Sequence, residues 1–133
     1  GDVARGAQLI KGAPSGFAIY SGDDATAAEL MMLGGHGDIS VTANVAPRQI
    51  AALCAMAMSA AGDAARQAAV REENARLMPL HDAMFVQSNP IPVKWALYYM
   101  NKAPNGIRLP LTVLDDEYHE QLRAVCDTLA GDA

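Results

Sequence analysis

Cysteine, histidine, aromatic residues and positive charge are all scarce in this chain. Two cysteines among 133 residues exclude a disulfide framework. Cys54 and Cys126 stand far apart, each flanked by apolar residues in a helical pattern, and read as buried thiols suited to a reducing compartment. The three histidines, His36, His81 and His119, fall in different segments without ligand spacing. Packing or surface roles therefore outweigh a metal site, and no metal is expected. Ten Lys and Arg stand against fifteen Asp and Glu, for a net charge of −5. Such a chain has no overall positive field with which to hold a polyanion, so neither nucleic acid nor an anionic membrane is an expected partner. No apolar run approaches the roughly 20 residues a membrane span requires. The opening Gly1-Asp2-Val3-Ala4-Arg5 shows no charged leader, apolar stretch and cleavage site. A cytoplasmic protein is expected.

What is present is a core. At 51% hydrophobic and 19% charged, the chain has the composition of a globular protein, and its length is that of one domain at most. No internal repeat or low-complexity tract interrupts it. From Asp2 to Lys11 the apolar positions Val3, Ala4, Ala7, Leu9 and Ile10 line one helical face, stopped by Gly12 and Pro14. Phe17-Ala18-Ile19-Tyr20, bounded by Ser15-Gly16 and Ser21-Gly22, reads as a short strand buried on both faces. Asp23 or Asp24 then caps a helix over 25–33, which Gly34-Gly35 ends. A second strand follows at Ile39-Ser40-Val41-Thr42.

From there only helices are expected. Pro47 opens one that runs to about Ala60, because a proline in the first turn has no needed N–H to lose. Gly62-Asp63 closes it and caps a longer helix running towards Phe85, with a bend at Pro79. Ser88-Asn89-Pro90-Ile91-Pro92 breaks the pattern, and a helix resumes over 93–100. A loop spans 103–114, and Asp115 or Asp116 caps a last helix ending near Leu129. Two short, wholly apolar strands belong to a parallel sheet, yet alone they bury little and leave their edges unpaired. Further strands must complete them.

Four segments, in unbroken order, carry more than periodicity. They are Tyr20-Ser21-Gly22-Asp23-Asp24-Ala25, the stretch from Gly34-Gly35-His36-Gly37 through Ile39-Ser40-Val41-Thr42-Ala43-Asn44 to Pro47, Asn89-Pro90-Ile91-Pro92-Val93-Lys94-Trp95-Ala96, and Ile107-Arg108-Leu109-Pro110-Leu111-Thr112. Together they resemble the dihydrodipicolinate synthase (4-hydroxy-tetrahydrodipicolinate synthase) family. The resemblance implies an α/β fold, a TIM (β/α)8 barrel with a C-terminal helical extension. A barrel of this kind takes about 250 residues and eight strands. This chain would supply its last part, with residues 1–60 the C-terminal portion of the barrel, strands seven and eight at 17–20 and 39–42, and residues 61–133 the extension.

The same resemblance implies a lyase of lysine and diaminopimelate biosynthesis that holds pyruvate as a Schiff base on a lysine and condenses it with aspartate semialdehyde. By the family pattern that lysine lies upstream of Gly1, and none of Lys11, Lys94 or Lys102 matches it. No catalytic residue is therefore assigned to this chain, which alone is expected to be inactive, and no cofactor is implied. Gly22 matches the glycine after strand seven, and Ile39 the strand-eight residue whose backbone lies near the bound keto acid. Both fit the active face of a barrel, built by loops at the C-terminal strand ends, where glycine lets backbone approach a ligand. The bland alternatives are a turn for Gly22 and core packing for the Ile39 side chain.

Asp23 and Asp24 are adjacent carboxylates at a helix start. Capping is the simplest role for one of them. Asp23 is a second-tier substrate-binding candidate, because a carboxylate near an imine influences its protonation. Gly34-Gly35-His36-Gly37 follows a helix and precedes a strand, the reverse of a phosphate loop. The seven methionines, Trp95 and the Tyr98-Tyr99 pair read as packing residues. The resemblance further implies a homotetramer, a dimer of dimers. Its smaller interface would involve Val3, Ala4 and Leu33, side chains that could equally face the barrel's own strands. Feedback binding of lysine would fall to residues outside this chain. Two other readings stay open: another pyruvate-dependent aldolase resembling N-acetylneuraminate lyase, and a non-catalytic scaffold that lost its nucleophile. The third and fourth segments favour the synthase.

Overall fold

A computed structural model describes residues 1–131. Six α-helices form among them: α1 (Val3–Gly12), α2 (Asp24–Met32), α3 (Pro47–Ser59), α4 (Ala64–Ala83), α5 (Ile91–Tyr99) and α6 (His119–Gly131). Single 3-10 turns occupy Thr42–Asn44 and Asp116–Tyr118. No helix of the described residues is long and apolar enough to cross a membrane. The chain divides into two compact units, one of residues 1–40 and 48–78, the other of residues 41–47 and from Pro79 onward.

In the first unit the ends of the helices follow from their capping chemistry. Asp2 accepts the Arg5 N–H at 2.9 Å and starts α1. Asp63 accepts the N–H groups of Ala65 and Arg66 at 3.0 and 3.1 Å and starts α4, satisfying donors the helix cannot reach itself. Ala27, Ala28, Leu30, Met31 and Met32 of α2 are buried, as are Ile50, Leu53 and Ala57 of α3 and Val70 and Leu77 of α4. Two polar ties join α4 to α2: the Arg71 guanidinium grips Glu29 at 2.6 and 3.0 Å, and Asn74 donates to the Ala25 carbonyl at 3.2 Å. Gly34, at a φ of 106°, takes the left-handed turn that ends α2. At Gly35 the chain runs so close to that helix that an added Cβ would lie 2.9 Å from the Leu30 carbonyl oxygen.

The two expected strands do not form as strands among the described residues. Phe17–Tyr20 is extended but carries no ladder, and Ile39–Thr42 bends at Val41 and enters a 3-10 turn. One parallel bridge, between Ser21 and Asp38, joins the two stretches. His36 donates to the Ile19 carbonyl at 2.7 Å, Ser21 to Gly37 at 2.9 Å and Ile39 to Ser21 at 2.9 Å. Nor are the segments buried on both faces, for Phe17 is 60% exposed, Tyr20 56% and Ile39 71%. A parallel ladder needs several successive slanted hydrogen bonds, and among the described residues the two segments share a single bridge.

The second unit packs Leu80, Met84, Trp95, Leu114, Leu122 and Cys126 into its core. Trp95 lies at its centre of aromatic contacts, with Tyr99 stacked at 5.6 Å, His119 at 4.4 Å and the Arg123 guanidinium 5.9 Å from the ring. Tyr98, its sequence neighbour, is exposed. The buried Thr42 hydroxyl and the buried His81 Nδ1 meet at 2.8 Å. Helix α4 continues through Pro79 and stops at Ala83, short of the expected Phe85, which closes a turn on the Asp82 carbonyl and is half exposed. Cys126 is buried as expected, whereas Cys54 is only partly so, on an α3 face that is not fully covered.

Candidate functional site

The turn between the first extended segment and α2 carries Ser21, Gly22 and Asp23. The Ser21 hydroxyl accepts the Asp23 N–H and donates to the Asp23 carbonyl, both at 3.1 Å, so the turn is closed by its own side chain. Ile39 docks on the same turn through its N–H to the Ser21 carbonyl. Gly22 and Ile39, far apart in sequence, thus flank one backbone bridge.

Beside this turn lies a cleft of about 290 Å³ whose wall includes Ser21, Gly22, Asp23, Thr26, Gly6 and Asp2. Gly22 is exposed, and an added Cβ there would meet nothing within 4 Å. Asp23 occupies the N-cap position of α2, and its carboxylate accepts the Thr26 hydroxyl at 2.9 Å. Ile39 does not line the cleft, and its side chain is exposed. Lys11, Lys94 and Lys102 are all solvent-exposed, and none borders the cleft.

The adjacent carboxylates part company. While Asp23 faces the cleft, Asp24 is 3% exposed and accepts the Ser40 hydroxyl. Asp38 Oδ1 is buried without a hydrogen-bond partner, and the Asp24 carboxyl is its acidic neighbour. Burial first, then the Asp24 charge, then its hydrogen bond and the Asp23 charge push the Asp38 carboxyl up to about 7. Burial and the Asp38 and Asp24 charges raise the Cys54 thiol as well. Sequence reasoning did not single out Asp38 or Ser40, and read Cys54 only as a buried thiol. The one signal available was an acidic residue opening an apolar, strand-like run.

Chemically, this arrangement offers backbone groups and one carboxylate beside a polar cleft, and a buried carboxyl pair behind it. No lysine side chain borders the cleft. Residues 1–129 match the family model of the Dihydrodipicolinate synthetase family. The chain belongs to that family. A 4-hydroxy-tetrahydrodipicolinate synthase of Pseudomonas aeruginosa is 60% identical over 123 residues, which are 92% of this chain and 40% of that one. One of Cellvibrio japonicus is 54% identical over 131 residues, 98% of this chain and 43% of its relative. Among solved structures, a chloride-inhibited dihydrodipicolinate synthase of Acinetobacter baumannii, crystallised with pyruvate, aligns with a TM-score of 0.87 at 47% identity over 98% of this chain and 43% of that one. The dihydrodipicolinate synthase of Thermotoga maritima aligns with the same TM-score at 39% identity, over 97% and 43%. This member of the family thus spans about two fifths of the length of its relatives.

Proposed function

We propose that these 133 residues are the C-terminal part of a Schiff-base lyase that condenses pyruvate with aspartate semialdehyde to 4-hydroxy-tetrahydrodipicolinate. The observation that carries the reading is the family match over residues 1–129, supported by relatives of that name at 54 to 60% identity. In this reading residues 1–60 complete the (β/α)8 barrel, with 17–20 and 39–42 as its seventh and eighth strands once neighbours pair their edges, and residues 61–133 form the helical extension.

A lysine outside this chain attacks the keto carbon of pyruvate and water leaves. The imine loses a methyl proton, and the enamine carbon attacks the aldehyde. The part of this chain is positioning. Gly22 and Ile39 present backbone to the keto acid, and Asp23 sets the charge at the cleft rim. That Gly22 has open space around its Cα supports a place kept clear for something other than this chain. Val3, Ala4 and Leu33 would form the smaller interface of a homotetramer, and Leu33 is 50% exposed.

Treatment of the whole protein with pyruvate and borohydride, followed by intact mass, tests the reading. One reduced pyruvate per chain, on a lysine outside residues 1–133, is expected, and the 133-residue chain alone should stay unmodified. An adduct on Lys11, Lys94 or Lys102, or none on the whole protein, would reject it.

A further inference from the structure

The sequence holds five asparagines, and their surroundings set one apart from the rest. An asparagine reacts with its own backbone when the nitrogen of the next residue reaches the side-chain amide carbon. That nitrogen must be free of a hydrogen bond, unhindered by the side chain beside it, and carried on backbone that can turn. Four of the five asparagines do not meet these conditions. Asn44 donates to the Val41 carbonyl at 2.9 Å, and the next residue is the β-branched Val45, whose N–H is donated to the Thr42 carbonyl at 3.0 Å. Asn74 lies inside α4 and donates to the Ala25 carbonyl at 3.2 Å. Asn89 precedes Pro90, which has no N–H. After Asn101, the Lys102 N–H is donated to the Leu97 carbonyl at 2.8 Å. Asn105 differs on each count. It precedes Gly106, and both are exposed in a stretch between α5 and the Asp116–Tyr118 turn that forms neither helix nor strand. Among the described residues no hydrogen bond holds the Asn105 amide or the Gly106 N–H. Gly106 brings no side chain, and a Cβ added there would meet nothing within 4 Å, so no neighbour walls the backbone in.

We propose that Asn105 is a self-modifying site, converted through a cyclic imide with Gly106 into aspartate and isoaspartate. The Gly106 nitrogen gives its proton to hydroxide and bonds to the Asn105 side-chain carbon, closing a five-membered succinimide, and the side-chain nitrogen leaves as ammonia. Water then adds to one of the two ring carbonyls and breaks its bond to the Gly106 nitrogen. Opening at the side-chain carbonyl restores an ordinary backbone with aspartate. Opening at the backbone carbonyl leaves the chain running through Cβ and the side-chain carbon, as isoaspartate. Nothing is oxidised or reduced, and water is the only co-reactant. Either product adds one negative charge, and it does so at a small cavity that Lys94 and Trp95 also border. Isoaspartate further lengthens the backbone by one methylene just before Ile107, which packs against the core of the second unit. The reaction does not depend on the function proposed above.

The test incubates the whole polypeptide that carries this chain in warm, mildly alkaline buffer, beside its Gly106→Ala variant and a synthetic peptide of residues 102–109. Trypsin cuts after Lys102 and Arg108, so residues 103–108 leave as one peptide holding this asparagine alone. That peptide should gain about one dalton and separate into two species of equal mass, one of which electron-based fragmentation shows to be isoaspartate. The folded protein should react within about tenfold of the rate of the synthetic peptide, because the loop leaves the reacting atoms free. Gly106→Ala, which the open space accommodates, should slow the reaction roughly tenfold or more by placing a methyl group beside the attacking nitrogen. No mass gain, or a folded protein slower than that margin, overturns the site. Aspartate without isoaspartate overturns the cyclic route, as does an unslowed Gly106→Ala. An equal gain in the peptides that hold Asn44, Asn74 or Asn101 overturns the selection of Asn105.

Discussion

At Gly22 the packing of this chain gives no reason for glycine: its φ lies outside the left-handed region, and a methyl group there would touch nothing. Gly22→Ala should leave the thermal midpoint of the whole protein unchanged. By intruding on the space where backbone meets the keto acid, it should also lower the rate of pyruvate trapping by roughly tenfold or more. Equal trapping by the two proteins would return Gly22 to the status of a turn residue. Asp38 makes the opposite kind of prediction, about stability. Its carboxyl rises from 3.8 to about 7 on folding, so between those values the folded state binds a proton that the unfolded state has released. Stability is therefore greatest at the acid end of this window and falls as pH rises through it. Urea midpoints should follow that slope in the wild type, and the slope should flatten in Asp38→Asn. A wild-type midpoint that climbs across the same interval would contradict the burial seen here.

Among the elements, the link between α2 and the Ile39 segment is the least tolerant. Gly35→Ala would bring a Cβ to 2.9 Å from the Leu30 carbonyl, which is backbone of a packed helix and cannot swing aside. It should cost about 1–3 kcal/mol, read as a lowered denaturant midpoint, whereas Gly12→Ala, with nothing within 4 Å, should cost little. All six helices were legible in the sequence to within a few residues, because their ends are written in local chemistry: Asp2 and Asp63 as caps, Gly34 as a left-handed stop and Pro47 in a first turn. The two expected strands were legible only as extended runs, and among the described residues they share no ladder beyond the single Ser21–Asp38 bridge. Of the site, Gly22 and Asp23 do meet at one cleft, and Ile39 reaches the turn through its backbone alone. The nearness of Asp24 to Asp38 was invisible, as it joins residues across α2 and its turn with no spacing rule to announce it.

For the molecule as a whole, the exposed side chains of Leu9, Phe17, Tyr20, Leu33 and Ile39 stand out in the first unit. Exposed apolar groups of this size are the mark of a surface that another chain segment covers. The 133-residue chain on its own should therefore self-associate, with light scattering rising with concentration, and a well-behaved monomer in sedimentation would contradict this. The stacked Trp95 is the single tryptophan of the sequence, and it lies wholly in the core of the second unit. Intrinsic fluorescence excited at the indole band is consequently a private signal of that unit, blind to the Gly22 turn and the carboxyl pair. Helix loss by circular dichroism, in contrast, samples both units. Superposition of the two melting curves would show the units unfolding as one, and an early dichroic phase with unchanged emission would reveal the first unit letting go alone.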